Sequence, residues 1–214
     1  MTRARHQGAL AGDSATPSLL AGLRTWFKDA NGVFDAGTTN TGFAAPPGPA
    51  AATPGTPRPL SFSYIDTAIR QTYDLGGEPT TMLMAPAWKQ FISQYLYSSS
   101  ARVAALYSDV GQGNRGGSTA QGSVDIYISD FGAMKMVPDR FLGHDGTVAD
   151  TAHIYILDMK MWEVSYLRSF RTSKLARTGD AENRQMLVDY SLVCRNIDGS
   201  QVVADLDPSQ PIVP

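Results

Sequence analysis

Residues 111–116 form the one segment whose glycine spacing matches a ligand-binding motif. The spacing is that of a dinucleotide-binding turn, in which glycines let the backbone approach a pyrophosphate at the start of a helix. The residues that follow, 117–122, have no helical apolar pattern. The sequence therefore favours a flexible glycine-rich loop over a phosphate-binding site.

Histidine and cysteine side chains are the other groups that could bind a metal or act as a nucleophile. His144 and His153 could share a metal ion, but they lack the short ligand spacing of known zinc sites, so we interpret them as loop histidines. Cys194 shares a predicted strand face with Leu192 and Tyr190, which predicts a buried, unreactive thiol. No Gly-x-Ser-x-Gly turn marks an activated serine. The sequence therefore predicts no catalytic residue, no metal site and no cofactor.

Charged side chains concentrate in the last third of the chain. The densest cationic stretch, with the two acids that follow it, contains Arg168, Arg171, Lys174, Arg177, Asp180 and Glu182. One interpretation is a solvated loop. The other is a charged contact with a neighbouring subunit, where ion pairs fix the register more than the affinity. The carboxylates near predicted strand ends fit ordinary turns: Asp125, Asp130 and Asp158.

Composition limits the classes of protein that the chain can be. With 214 residues, 43% of them hydrophobic, it is long enough for one well-buried core. A net charge of -2 argues against a general nucleic-acid binder or a protein of anionic membranes. A single cysteine fits a reducing cytosol, and no apolar run approaches the roughly 20 residues of a membrane span. We therefore expect a soluble intracellular protein whose partners are proteins.

Apolar spacing predicts the elements that position these residues. A short helix is expected between Thr16 and Asn31, and a linker or surface loop over residues 44–60, where six of the sixteen residues from 44 to 59 are proline. A second helix is predicted from Ser61 to Gly76, and a third begins near Pro86. We accordingly divide the chain into an N-terminal segment (1–43), the proline-rich segment (44–60) and a core domain (61–214).

In the carboxyl half of the chain, apolar residues recur at every second position, which predicts strands. A hairpin is expected where residues 124–129 turn at Phe131 and Gly132. Further strands are predicted at 154–157, 161–167 and 186–195. Two or three helices followed by a largely antiparallel β region indicate an α+β fold rather than a doubly wound α/β sheet.

Several segments occur in an order that is typical of one protein family. They are the run LGGEPTTM at 75–82, the hairpin IYISDFG at 126–132, ILD at 156–158 with Trp162, and LARTGD at 175–180, preceded by Ala21-Gly22-Leu23 with Trp26. In that order they resemble the SU-ten-like group of tailed-phage major capsid (head) proteins. The resemblance spans roughly residues 19–206.

This resemblance implies the Hong Kong phage-type capsid subunit, with a peripheral and an axial domain. It implies a shell protein that assembles with itself into hexamers and pentamers, contacts other phage head proteins, and meets packaged DNA only indirectly. It also implies a virion protein made in the bacterial cytoplasm, with no catalytic residues. Relatives carry an N-terminal arm, an extended loop and a spine helix ahead of the matching region, and we expect a form of the subunit without them.

Two other classes of protein remain open from the residues alone. One is a small cytosolic α+β enzyme, which would need a pocket that gathers His144, His153 and nearby carboxylates. The other is a virion protein of a different kind, such as a tail or head-completion component that binds other proteins.

Overall fold

The computed structural model describes residues 20–28, 32–33, 53–98, 124–142, 153–176 and 179–213. These ranges contain two α-helices, α1 (Phe62–Asp74) and α2 (Pro86–Ser98), and two short 3₁₀ helices, Leu23–Trp26 and Met159–Met161. They also contain eight strands: β1 (Gly32–Val33), β2 (Thr81–Met84), β3 (Ile126–Ser129), β4 (Gly132–Pro138), β5 (Ile154–Leu157), β6 (Trp162–Lys174), β7 (Arg184–Cys194) and β8 (Gln201–Val203).

The two α-helices begin at the residues that the sequence predicts. The Ser61 side chain accepts a hydrogen bond from the Ser63 backbone N–H at 3.3 Å and so caps α1. The helix ends just before Gly76, whose φ of 80° lies in the left-handed region. Helix α2 starts at Pro86, where a missing N–H costs no helical hydrogen bond, and it buries Trp88 against the core.

Six strands form one mixed sheet in the order β1-β8-β5-β2-β4-β3. Three of its five pairings are antiparallel, while β1 with β8 and β2 with β4 are parallel. Along the chain, strand β2 lies between α1 and α2, where the sequence predicts no strand. The α+β class is confirmed, and the antiparallel pairings make up most of the sheet.

Side chains pack on both faces of the sheet, but one face is exposed at its β3 and β4 end. On one face Tyr127 of β3 reaches α1, where its hydroxyl donates to the Asp66 carboxylate at 2.7 Å. The opposite face carries Tyr155 of β5, and the buried Phe27 ring lies 5.8 Å from it. Phe27 directly follows the 3₁₀ helix Leu23–Trp26, which is shorter than the expected helix between Thr16 and Asn31. Residues 16–19 and 29–31 lie outside the described ranges.

The proline-rich segment is described from residue 53 onward. Its last residues pair with the carboxyl-terminal segment: Arg58 N–H donates to the Asp205 carbonyl, and Asp207 N–H donates to the Arg58 carbonyl, both at 2.8 Å. Leu60 is fully buried. This part of the segment therefore contributes to the core, while the division into residues 1–43, 44–60 and 61–214 stays a prediction.

Candidate functional site: the β6–β7 ribbon

Strands β6 and β7 form a separate two-stranded antiparallel sheet, which we call the ribbon. It runs from the pair Trp162 and Cys194 at its base to the pair Lys174 and Arg184 at its outer end. Thirteen residues of β6 span about 40 Å at the usual rise per strand residue. Two irregularities in register, before and after Arg168, add twist along its length. Twelve of the thirteen β6 side chains and six of the eleven β7 side chains are exposed, and the others are half-buried, so the ribbon extends away from the core.

One face of the ribbon carries apolar side chains along most of its length. At the base, Trp162 packs against the core, with its ring 5.9 Å from that of Trp26. Farther out, Tyr166 and Tyr190 pair at 6.2 Å between ring centroids. These two side chains are 52% and 50% exposed, and Met186 beyond them is 69% exposed. The apolar face is thus half-buried at the base and exposed farther out, and exposed apolar surface of this kind is typical of interaction surfaces.

Ion pairs connect the two strands of the ribbon. Arg168 pairs with Asp189 across the strands. Glu182 accepts from Lys174 at 2.8 Å and from Arg184 at 3.2 Å. Exposed pairs of this kind contribute at most about 1 kcal/mol each, so they fix the register of the strands more than they stabilise them.

The predicted charged residues thus come together on the outer half of the ribbon and at its turn. Three of the predicted residues are held in pairs within the chain: Arg168, Lys174 and Glu182. In the described part of the chain no acid pairs with Arg171, which lies opposite Leu187. Asp180 lies in the turn and is exposed, and Arg177 lies outside the described residues. Their role at a subunit interface stays a prediction.

A buried polar cluster fixes the base of the ribbon. The Asp158 carboxylate is 1% exposed and accepts from the backbone N–H groups of Glu78 at 3.2 Å and Lys160 at 3.1 Å. The Ser200 hydroxyl accepts from the Asp158 N–H at 3.2 Å and from Trp162 Nε1 at 3.1 Å. The sequence indicates a turn at Asp158, but nothing in it distinguishes Ser200 from other loop serines.

Of the histidine, cysteine and glycine-rich candidates, the structure describes His153 and Cys194. Burial raises the pKa of the half-buried Cys194 thiol to about 11. His153 is buried and stacks on Tyr155, while His144 and the glycine-rich segment 111–116 lie outside the described residues. Among the described residues there is no group of three or more His, Cys, Asp or Glu side chains that could hold a metal ion. In the same ranges, no helix has the length and apolar character needed to cross a membrane.

A small core that carries a long ribbon with an exposed apolar face is typical of proteins that bind other proteins, as structural subunits do. Comparison with known families agrees. The model of the family described as SU10 major capsid protein matches residues 3–207. The chain therefore belongs to the SU10 major capsid protein family, as the resemblance predicts.

The chain is similar to the protein in the cryo-electron-microscopy structure of the holo-SrpI encapsulin complex from Synechococcus elongatus PCC 7942, with 12% identity and a TM-score of 0.45. The likeness covers 91% of this chain and 59% of that protein, so the chain spans less than two thirds of its length. No curated protein sequence matches the chain.

Proposed function

We propose that the chain assembles with copies of itself into the shell of a tailed-phage head, and that the ribbon is one of the contacts between copies. The exposed pair Tyr166 and Tyr190 carries this proposal, because an isolated copy leaves both rings in water. A neighbouring copy that covers them removes apolar surface from water and orders the outer half of the ribbon.

The charged end of the ribbon is the second part of the proposed contact. Arg171 carries a charge that no described acid neutralises, and Asp180 is an exposed acid in the turn. We assign both, together with Arg177, to ion pairs with a neighbouring subunit. Such pairs select the correct register of a contact and discourage incorrect ones.

The same proposal extends to the other partners. Hexamers and pentamers of this chain are the expected assemblies, and a contact that repeats around a ring joins two different surfaces of the subunit. Other phage head proteins are further partners in the virion. A net charge of -2 fits a protein that encloses DNA without binding it through many phosphate contacts.

The direct test is mass spectrometry of particles pelleted from the native source. We expect peptides of this chain to dominate the particles. A chain that remains in the soluble fraction while particles of the same source lack it would overturn the proposed shell function.

Two matched variants test the ribbon itself. Tyr166→Lys places a charge on the apolar face, and we expect it to reduce assembly, measured as the fraction of protein that sediments as particles. Ser165→Lys places the same charge one residue away on the opposite face, where Ser165 lies across from Ser191. Equal assembly of the two variants would show that the apolar face is not a contact.

A further inference from the structure

Strand β3 is the edge of the six-stranded sheet, with β4 on one side and no described strand on the other. A sheet edge presents unpaired backbone groups that can bind another strand. Proteins usually protect such an edge with a very short strand, a proline, a bulge, a charge, or a covering loop or helix. Residues 126–129 contain no proline or charged side chain, and their pairing with β4 has no irregularity.

The hydrogen bonds of β3 show which of its backbone groups are unpaired. The Asp125 carbonyl accepts from Met136 N–H at 2.8 Å, and in an antiparallel ladder the groups that face one neighbour alternate along the strand. Asp125, Tyr127 and Ser129 therefore face β4. The N–H and C=O groups of Ile126 and Ile128 point away from the sheet.

The side chains at these two positions are also uncovered. Ile126 is 58% exposed and Ile128 is 79% exposed. Both lie on the sheet face opposite to Tyr127, whose hydroxyl is held by Asp66. The free edge therefore combines two donors, two acceptors and two isoleucines within three residues.

We propose that β3 pairs antiparallel with β3 of a second copy of this chain, around a two-fold axis at Tyr127. In that register Ile126 lies opposite the partner's Ile128, and each of the two pairs exchanges two backbone hydrogen bonds. A second copy of β3 is the expected partner, because the backbone donors and acceptors of this edge are arranged symmetrically on either side of Tyr127 and therefore complement those of an identical strand. This inference rests on the proposed function, which brings many copies of the chain together.

Charge does not oppose this contact at the start of β3. Asp125 lies 2.6 Å from the Lys89 ammonium group, which balances the acid closest to the pairing residues. The new pairs place each Ile126 side chain beside an isoleucine of the other copy. They also join two six-stranded sheets into one continuous sheet, and the result is an isologous contact.

Cysteine cross-linking of the full chain tests the register. Residues in a hydrogen-bonded antiparallel pair have Cα atoms about 5.5 Å apart, a separation that suits a disulfide. We expect the double variant Ile126→Cys/Ile128→Cys to form dimers in which position 126 of one copy is joined to position 128 of the other, identified by peptide mass spectrometry. Each single variant places its cysteine opposite an isoleucine and serves as the control. The absence of this 126–128 link in the double variant, or dimers of equal yield in the single variants, would overturn the pairing.

A charged side chain at the β3 edge tests how much this contact contributes to association. We expect Ile128→Lys to weaken association of the chain by at least about tenfold, measured by sedimentation over a range of concentrations, because the lysine removes apolar cover and places a charge against the partner's Ile126. Ala133→Lys is the matched control, since Ala133 lies opposite Ile128 in β4 on the same face but away from the edge. Equal weakening by the two lysines would overturn the inference.

The two proposals fail in different ways. Native particles that contain the chain, together with a double variant that forms no 126–128 link, would remove the edge pairing and leave the shell function intact. Dimers with the 126–128 link, from a chain that native particles lack, would remove the shell function and leave the edge pairing intact.

Discussion

Gly77→Ala tests the packing that holds the base of the ribbon in place. Gly77 follows α1, and its backbone crosses that of Gly199 in the turn before β8. A Cβ atom at Gly77 would lie 2.7 Å from the Gly199 Cα and closer still to its carbonyl oxygen. Ordinary contacts begin at 3.4 Å, so one backbone segment must move. Both segments hold the base of the ribbon, since Ser200 beside Gly199 accepts hydrogen bonds from Asp158 and Trp162, and Glu78 beside Gly77 donates its N–H to Asp158.

The expected size of the effect follows from this crossing. Overpacking a rigid site costs about 1 to 3 kcal/mol, and both sides here are backbone, so we expect about 3 kcal/mol for Gly77→Ala. Gly76→Ala is the control, because a Cβ there meets nothing within 4 Å and the φ of 80° alone costs about 1 kcal/mol. Urea unfolding, followed by tryptophan fluorescence, measures both free energies. An equal loss of stability in the two variants would refute the reasoning.

Two further predictions concern single side chains. Ser61→Ala should destabilise the chain by about 1 kcal/mol in urea unfolding, because it removes the cap of α1, and Ser61→Asp should retain most of that stability. Burial raises the pKa of Cys194 from 9.0 to about 11, so its contribution to stability is complete below pH 9.0 and is lost as the pH rises toward about 11. Unfolding free energies measured from pH 8 upward should fall more steeply in the native chain than in Cys194→Ala, which keeps the other groups that titrate at high pH, such as Tyr127; parallel curves would contradict it.

The sequence predicts those elements in which the apolar pattern repeats often enough to be recognised. Helix α1 has apolar residues at helical spacing between a serine cap and a glycine pair, and the structure confirms it. Strands β1 and β8 were missed because they contain two and three residues, too few to establish an alternating pattern. Strand β2 has four residues, as β3 and β5 have, but its run of Met82, Leu83 and Met84 neither alternates with polar residues nor contains the β-branched side chains that favour strands. Parallel pairing of β2 with β4 could not be predicted either, because it depends on how distant segments meet.

The candidate site shows a different limit of sequence-based prediction. Alternation correctly places Trp162, Val164 and Tyr166 on one face, but it does not indicate what covers that face. Within the described residues, Trp162 packs against the core, whereas Tyr166 is 52% exposed. Alternation along a strand indicates which side chains share a face, whereas the burial of that face depends on the rest of the fold. An interaction surface therefore resembles a core strand until the structure is known.

The energetics of the ribbon connect its exposure with assembly. A two-stranded sheet with no further cover is marginally stable in water, and the exposed ion pair between Arg168 and Asp189 adds little. The base is different, because Trp162 is fixed there by aromatic contacts and by the Ser200 hydroxyl. The outer half thus has a defined starting direction but little stability of its own. Contacts that cover the ring of Tyr166 would supply the missing stabilisation, so the order of the ribbon and the assembly of the shell are expected to increase together.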